Sequence, residues 1–155
     1  MSVEHDLHTE QVAHLDLSEY TQIESGTTVH DTVAKMRAER HNCAFITQNG
    51  KLTGLFTDRD VLRRVVDRPD LWSHPIEEVM THHPKTIRAD QPTGDALQIM
   101  NDLHFRNTPV LEEDGTIAGN LTHFSIIRYL ADHFPENVYN LPPQPDHFGE
   151  EREGG

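Results

Sequence analysis

The stretch TVHDTVAKMRAERHNCAFITQNGKLTGLFTDRDVLRRVV, residues 28–66, is answered by PTGDALQIMNDLHFRNTPVLEEDGTIAGNLTHFSIIRYL, residues 92–130. The landmarks recur in the same order. Met36 falls on Met100 at a shift of 64, whereas Gly50 and Gly54 fall on Gly115 and Gly119 at a shift of 65, so one residue was added at Glu113. A unit of about 55 residues is too small to bury a comfortable core alone, so two such units are expected to pack against each other about a pseudo-two-fold axis. Clefts then form at the seam.

Within the first unit, Thr28 and Asp31 make a capping-box-like start, and Val29, Val33, Met36 and the stem of Arg40 recur at helical spacing. Short apolar runs over 43–46 and 52–56 flank Asn49-Gly50, which predicts a hairpin. Thr57-Asp58 then caps a second helix with an apolar stripe of Val61, Leu62, Val65 and Val66, ending near Arg68-Pro69. With a short strand over 20–23, each unit reads β-α-β-β-α, an α/β (α+β) fold. The second unit repeats this through Ala96, Leu97, Met100 and Leu103, strands around Asp114-Gly115, and Ile126, Ile127 and Leu130 after a Thr122 cap.

Four segments follow: a flexible lead over residues 1–14, a first domain over 15–74, a second over 75–134, and an acidic, mobile extension over 135–155. Residues 67–74 read as a polar loop, and residues 75–80 as a short lead-in helix. The chain has 26 acidic and 13 basic side chains, a formal charge of -13, which opposes binding to nucleic acid or anionic membranes. No run approaches the roughly 20 apolar residues of a membrane helix. One cysteine cannot form an internal disulfide, and a charged start takes the place of a secretory signal, so the expected location is cytoplasmic.

The run Gly54-Leu55-Phe56-Thr57-Asp58-Arg59-Asp60, with Val79-Met80-Thr81 before Pro84 and the Thr108-Pro109-Val110 strand, resembles a tandem pair of cystathionine beta-synthase (CBS) domains, a Bateman module. The resemblance spans about residues 15–134, and the residues from His133-Phe134-Pro135 to Asn140-Leu141-Pro142-Pro143 are similar to the tail of bacterial stand-alone CBS-pair proteins. It implies regulatory binding of adenine nucleotides or related adenosyl compounds between the repeats, without catalysis. The family's ribose and phosphate pattern falls on Gly54, Thr57 and Asp60. For the base it points to Ile23, Cys43 and Ala44, each equally readable as core. Arg59 and Arg106 are candidate phosphate contacts, equally readable as solvated surface.

The residues themselves support a ligand at this place. A Thr at a helix start and an Asp three residues later share the first turn, so a hydroxyl and a carboxylate face one side. Asp60 is suited to accept hydrogen bonds from ribose hydroxyls, and the free N–H groups of that turn favour an anion. The same pair also reads as an ordinary helix cap with a first-turn acid. In the second unit Gly119 and Thr122 persist, but Ser125 stands where Asp60 would be, with His123 and Phe124 for Asp58 and Arg59. One competent site per chain is expected. With Asp58 and Asp60 beside it and few cations to offset them, an AMP-like ligand is the first choice, with ADP, ATP or another adenosyl compound next.

Twelve histidines raise the question of a metal, but His5 with His8, His82 with His83, and His123 do not form a convergent set, so none is expected. Cys43 near His41 lies in an apolar strand and reads as a structural thiol rather than a nucleophile. No catalytic constellation is visible. The reading is a regulatory module, dimeric through its helices, that signals to a protein effector; the alternative is a dimerisation scaffold with degenerate pockets.

Overall fold

The computed structural model describes residues 3–134, and its order of elements repeats as the sequence does. After α1 (Val3–Thr9), the first half runs β1 (Thr21–Glu24), α2 (Val29–Glu39), β2 (Cys43–Gln48), β3 (Lys51–Thr57) and α3 (Asp58–Asp60), which continues into a π-helical turn over Val61–Val65. A two-residue strand, β4 (Thr81–His82), precedes the second half: β5 (Ile87–Arg88), α4 (Thr93–Leu103), β6 (Asn107–Leu111), β7 (Ile117–Thr122) and α5 (His123–His133). The 135–155 extension lies outside the described residues.

Local chemistry explains the shared elements. The Asp31 N–H donates to the Thr28 hydroxyl at 3.1 Å, capping α2, and the two equivalent helices end on left-handed residues, Arg40 (φ 61°) and His104 (φ 56°). Gly50 and Gly115, at φ 78° and 87°, turn the two hairpins. In each sheet a parallel pair, β1 with β2 and β5 with β6, is followed by an antiparallel one, β2 with β3 and β6 with β7. A register shift falls between Ile46 and Thr47 in one and between Val110 and Leu111 in the other, the same place at a shift of 64.

The halves exchange their lead segments, which the sequence reading did not anticipate. Residues 75–82, expected to open the second domain, complete the first: Ile76, Val79 and Met80 are buried with Ile23, Val29, Met36, Ile46 and Phe56, and β4 pairs with β3 through Leu55–Thr81. Reciprocally, Val12 and Leu15 are buried with Ile87, Met100, Val110 and Leu121. Backbone bonds match in the two crossings: the Ile76 N–H donates to Thr27 O at 2.8 Å, and the Val12 N–H donates to Gln91 O at 3.0 Å.

This corrects the reading of residues 1–14 as a flexible lead. Val12 is fully buried, and Thr93 donates to Glu10 O through both its N–H (2.7 Å) and its hydroxyl (3.0 Å). The segment is ordered because it fills the space that Ile76 fills in the other half. Its polar composition concealed one apolar residue with an essential place in the core.

Candidate functional site

A cleft of about 310 Å³ opens where the start of the first half's last helix faces the loop that enters β6. That size suits a small ligand. Thr57, Asp58, Arg59, Asp60, Arg63 and Arg64 line one side, Thr81, Pro84 and Lys85 a second, and His104, Phe105, Arg106 and Asn107 the third. The crossing therefore helps to build the site: Thr81 and Lys85 reach it only because residues 75–82 pack on the first half.

Asp60 is 9% exposed, and its Oδ2 accepts the Thr57 N–H at 2.9 Å and the Thr57 hydroxyl at 3.3 Å. This is a cap, as one of the two sequence readings had it. Asp60 Oδ1 lies 3.8 Å from Arg64 Nε, and a carboxylate has about four acceptor positions, so cap and ligand roles are compatible in one side chain. In the second half Ser125 makes the same cap: its Oγ is 2.9 Å from Thr122 Oγ1, and its N–H donates to that hydroxyl at 3.0 Å. The cap is thus common to both halves, and the carboxylate belongs to one.

Of the residues singled out in the sequence, Thr57, Asp58, Arg59, Asp60 and Arg106 are brought together in this cleft. Gly54 is buried behind it, where a Cβ would stand 2.2 Å from Met80 Sδ, so its lack of a side chain admits the crossing segment. Cys43 and Ala44 are fully buried in β2, Ile23 is buried in β1, and Thr122 caps α5 in the other half. Burial pushes the Cys43 thiol up to about 12, with the Asp58 and Glu19 carboxylates adding to the shift, so the sulfur stays protonated at neutral pH.

The charge of the cleft overturns the reason given for preferring a monophosphate. Five of the chain's 13 cationic residues, Arg59, Arg63, Arg64, Lys85 and Arg106, line it beside only two carboxylates. Arg64 is committed elsewhere, since its Nη1 donates to Val79 O at 2.9 Å and Met80 O at 3.2 Å. The other four have no carboxylate partner among the described residues. Arg63, Arg64 and Lys85 escaped the sequence reading; the available signal was the four-residue spacing of Arg59 and Arg63, which sets both on one side of the helix that Thr57 starts.

A second cleft holds Glu19, Arg40, His41, Asn42, Phe124 and Arg128. At shifts of 64 and 65, Arg40, His41 and Asn42 fall on His104, Phe105 and Arg106, and Phe124 and Arg128 on Arg59 and Arg63, so this is the pseudo-symmetric counterpart. Here Arg128 is already paired, with Asp16 at 2.5 Å and Glu19 at 3.5 Å. Between the halves, the buried Asn120 amide lies within hydrogen-bonding distance of Glu19 O (2.9 Å), Asn107 Oδ1 (3.0 Å) and Cys43 Sγ (3.3 Å). No sequence pattern pointed to Asn120, which lies between Gly119 and Leu121 in β7.

Comparison with known proteins agrees with this architecture. "CBS domain-containing protein CBSCBSPB3" of Arabidopsis thaliana is 37% identical over 111 residues, covering 69% of this chain. The chain spans 20% of that protein's length. Among solved structures, the CBS domain pair of protein MJ0100 in complex with 5′-methylthioadenosine and S-adenosyl-L-methionine superposes with a TM-score of 0.70 at 20% identity, covering 80% of this chain and 98% of that one. CBSX2 in complex with AMP gives 0.67 at 20% identity, covering 79% and 96%. The sequence model of the CBS domain matches residues 10–67 and 76–132. With two such matches and the fold they require, the chain belongs to the CBS domain family as a tandem pair.

Proposed function

We propose that this chain is a regulatory module that binds an adenosine nucleotide in the cleft between Thr57–Arg64 and His104–Asn107 and passes its occupancy to a cytoplasmic protein effector through the geometry of its two halves. The observation that carries this reading is the convergence on one seam of a half-buried hydroxyl, a nearly buried carboxylate and unpaired cations from both halves. Similar CBS pairs are described in complex with AMP and with adenosyl compounds, which supports the same ligand class. No catalytic step is part of the proposal, in which Asp60 and Thr57 are ligand contacts; burial keeps the Cys43 thiol protonated at neutral pH. AMP is the first probe. At 100 times its dissociation constant a ligand stabilises the folded state by about 2.7 kcal/mol, which raises Tm by about 5–10 °C for a domain of this size. A thermal-shift panel of AMP, ADP, ATP and S-adenosylmethionine that left Tm unmoved would refute nucleotide binding and favour the scaffold reading, to which the self-paired second cleft already lends support.

The same module is proposed to be a homodimer. Leu62 (69% exposed) and Ile127 (55%) occupy matching places on the last helices of the two halves, and Val66 and Leu103 are also open to solvent. An apolar face of this kind suits a second copy of the chain. Light scattering should report a dimer for the parent and a monomer for Leu62→Lys/Ile127→Lys. A parent that ran as a monomer would remove the dimer.

A further inference from the structure

On the reading of the first cleft as a nucleotide site, we propose that it selects by phosphate number, preferring di- and triphosphates over the monophosphate, with Arg63 and Lys85 contacting the phosphates beyond the first. The argument starts from charge. Elsewhere in a chain with twice as many acids as bases, several arginines are paired: Arg68 with Asp70, Arg88 with Asp90, and Arg128 with Asp16 and Glu19. Arg59, Arg63, Lys85 and Arg106 instead converge on one cleft with no carboxylate partner among the described residues. Four like charges repel one another, and a bound polyanion would relieve that repulsion.

The second cleft provides an internal comparison. Its Arg128 is the counterpart of Arg63, and the chain's own Asp16 and Glu19 already neutralise it. At a shift of 64 those two carboxylates fall on Met80 and His83 of the first half, while Asn42 of the second cleft falls on Arg106 of the first. The positions that satisfy Arg128 thus hold no carboxylate in the first half, where Arg63 has no carboxylate partner among the described residues. The number of open cations also exceeds what a single phosphate needs. Arg59 and Arg63 are four residues apart on one helix, so Arg63 lies about one turn farther than Arg59 from the Thr57 end. Lys85 follows the crossing segment and Arg106 comes from the other half, so the cations are spread over three sides of the cleft rather than set at one point.

The test is calorimetric titration of the full chain with adenosine, AMP, ADP and ATP at fixed ionic strength in the presence of a chelator, for the parent and for Arg63→Gln, Lys85→Gln and Arg128→Gln. Each added phosphate should tighten binding by about fivefold, the size of one partly solvated charge-assisted contact, and added salt should narrow the series. Arg63→Gln and Lys85→Gln should weaken ATP by about fivefold while leaving AMP within about twofold, and Arg128→Gln should leave both unchanged. AMP binding as tightly as ATP, or Arg63→Gln weakening AMP and ATP by the same factor, would overturn the selectivity while leaving the nucleotide site in place. No binding by any of the four would overturn the nucleotide reading, and the selectivity with it.

Discussion

Asp60→Ser is expected to leave the fold intact and to lower adenosine-nucleotide affinity by about 10- to 100-fold, the equivalent of one charge-assisted hydrogen-bonding group worth roughly 1.5–3 kcal/mol. Serine is the informative replacement because the protein already uses it at this place. Ser125 caps Thr122 in the second half through its hydroxyl, at the position where Asp60 meets Thr57 through its carboxylate in the first. Alanine would remove the cap along with the carboxylate and confound two effects. With serine, thermal unfolding without ligand should stay within about 3 °C of the parent, which corresponds to less than about 1 kcal/mol. Calorimetry would then report the ligand contribution alone. Unchanged nucleotide affinity in a well-folded Asp60→Ser protein would show that this carboxylate only caps its helix.

Gly119→Ala is expected to destabilise the fold by about 2–4 kcal/mol and to lower Tm by on the order of 10 °C. Two causes act together. Gly119 has φ 154°, and a Cβ there would stand 2.4 Å from both Leu17 Cβ and the Leu17 carbonyl oxygen. That carbonyl accepts the Asn120 N–H at 2.9 Å, so it cannot retreat without breaking the bond that holds the N-terminal crossing on β7. Gly54→Ala makes a milder comparison, because its Cβ meets the flexible end of Met80 rather than backbone. Gly115→Ala, at φ 87° with nothing within 4 Å, isolates backbone strain at about 1 kcal/mol. Chemical denaturation of the three variants should rank Gly119 as the most costly. Equal losses at Gly119 and Gly115 would show that the crossing yields easily.

The contrast between these glycines marks how far the repeat could be read. Gly50 and Gly115 were legible as hairpin turns because their role depends on neighbours in the chain. Gly54 and Gly119 were legible as recurring residues, but their role depends on Met80 and Leu17, which arrive from the exchanged segments. The same division runs through the site. Thr57 and Asp60 announced themselves by helix-start spacing, and the two remain together in the cleft. The set of cations did not, because Lys85 and Arg106 belong to different parts of the chain and carry no shared period.

The sequence by itself determined the two units, the order and caps of their elements, and the asymmetry between Asp60 and Ser125, since each of these follows from residues within one helical turn or one hairpin. Only the tertiary structure decided that residues 10–17 complete the second half and residues 75–82 the first, that five cations meet beside Asp60, and that Asp16 and Glu19 neutralise Arg128. The physical reason is one of range. Capping and periodicity are satisfied by near neighbours, whereas the exchange and the charge of the two clefts arise from burial and Coulomb interactions between segments distant in the chain.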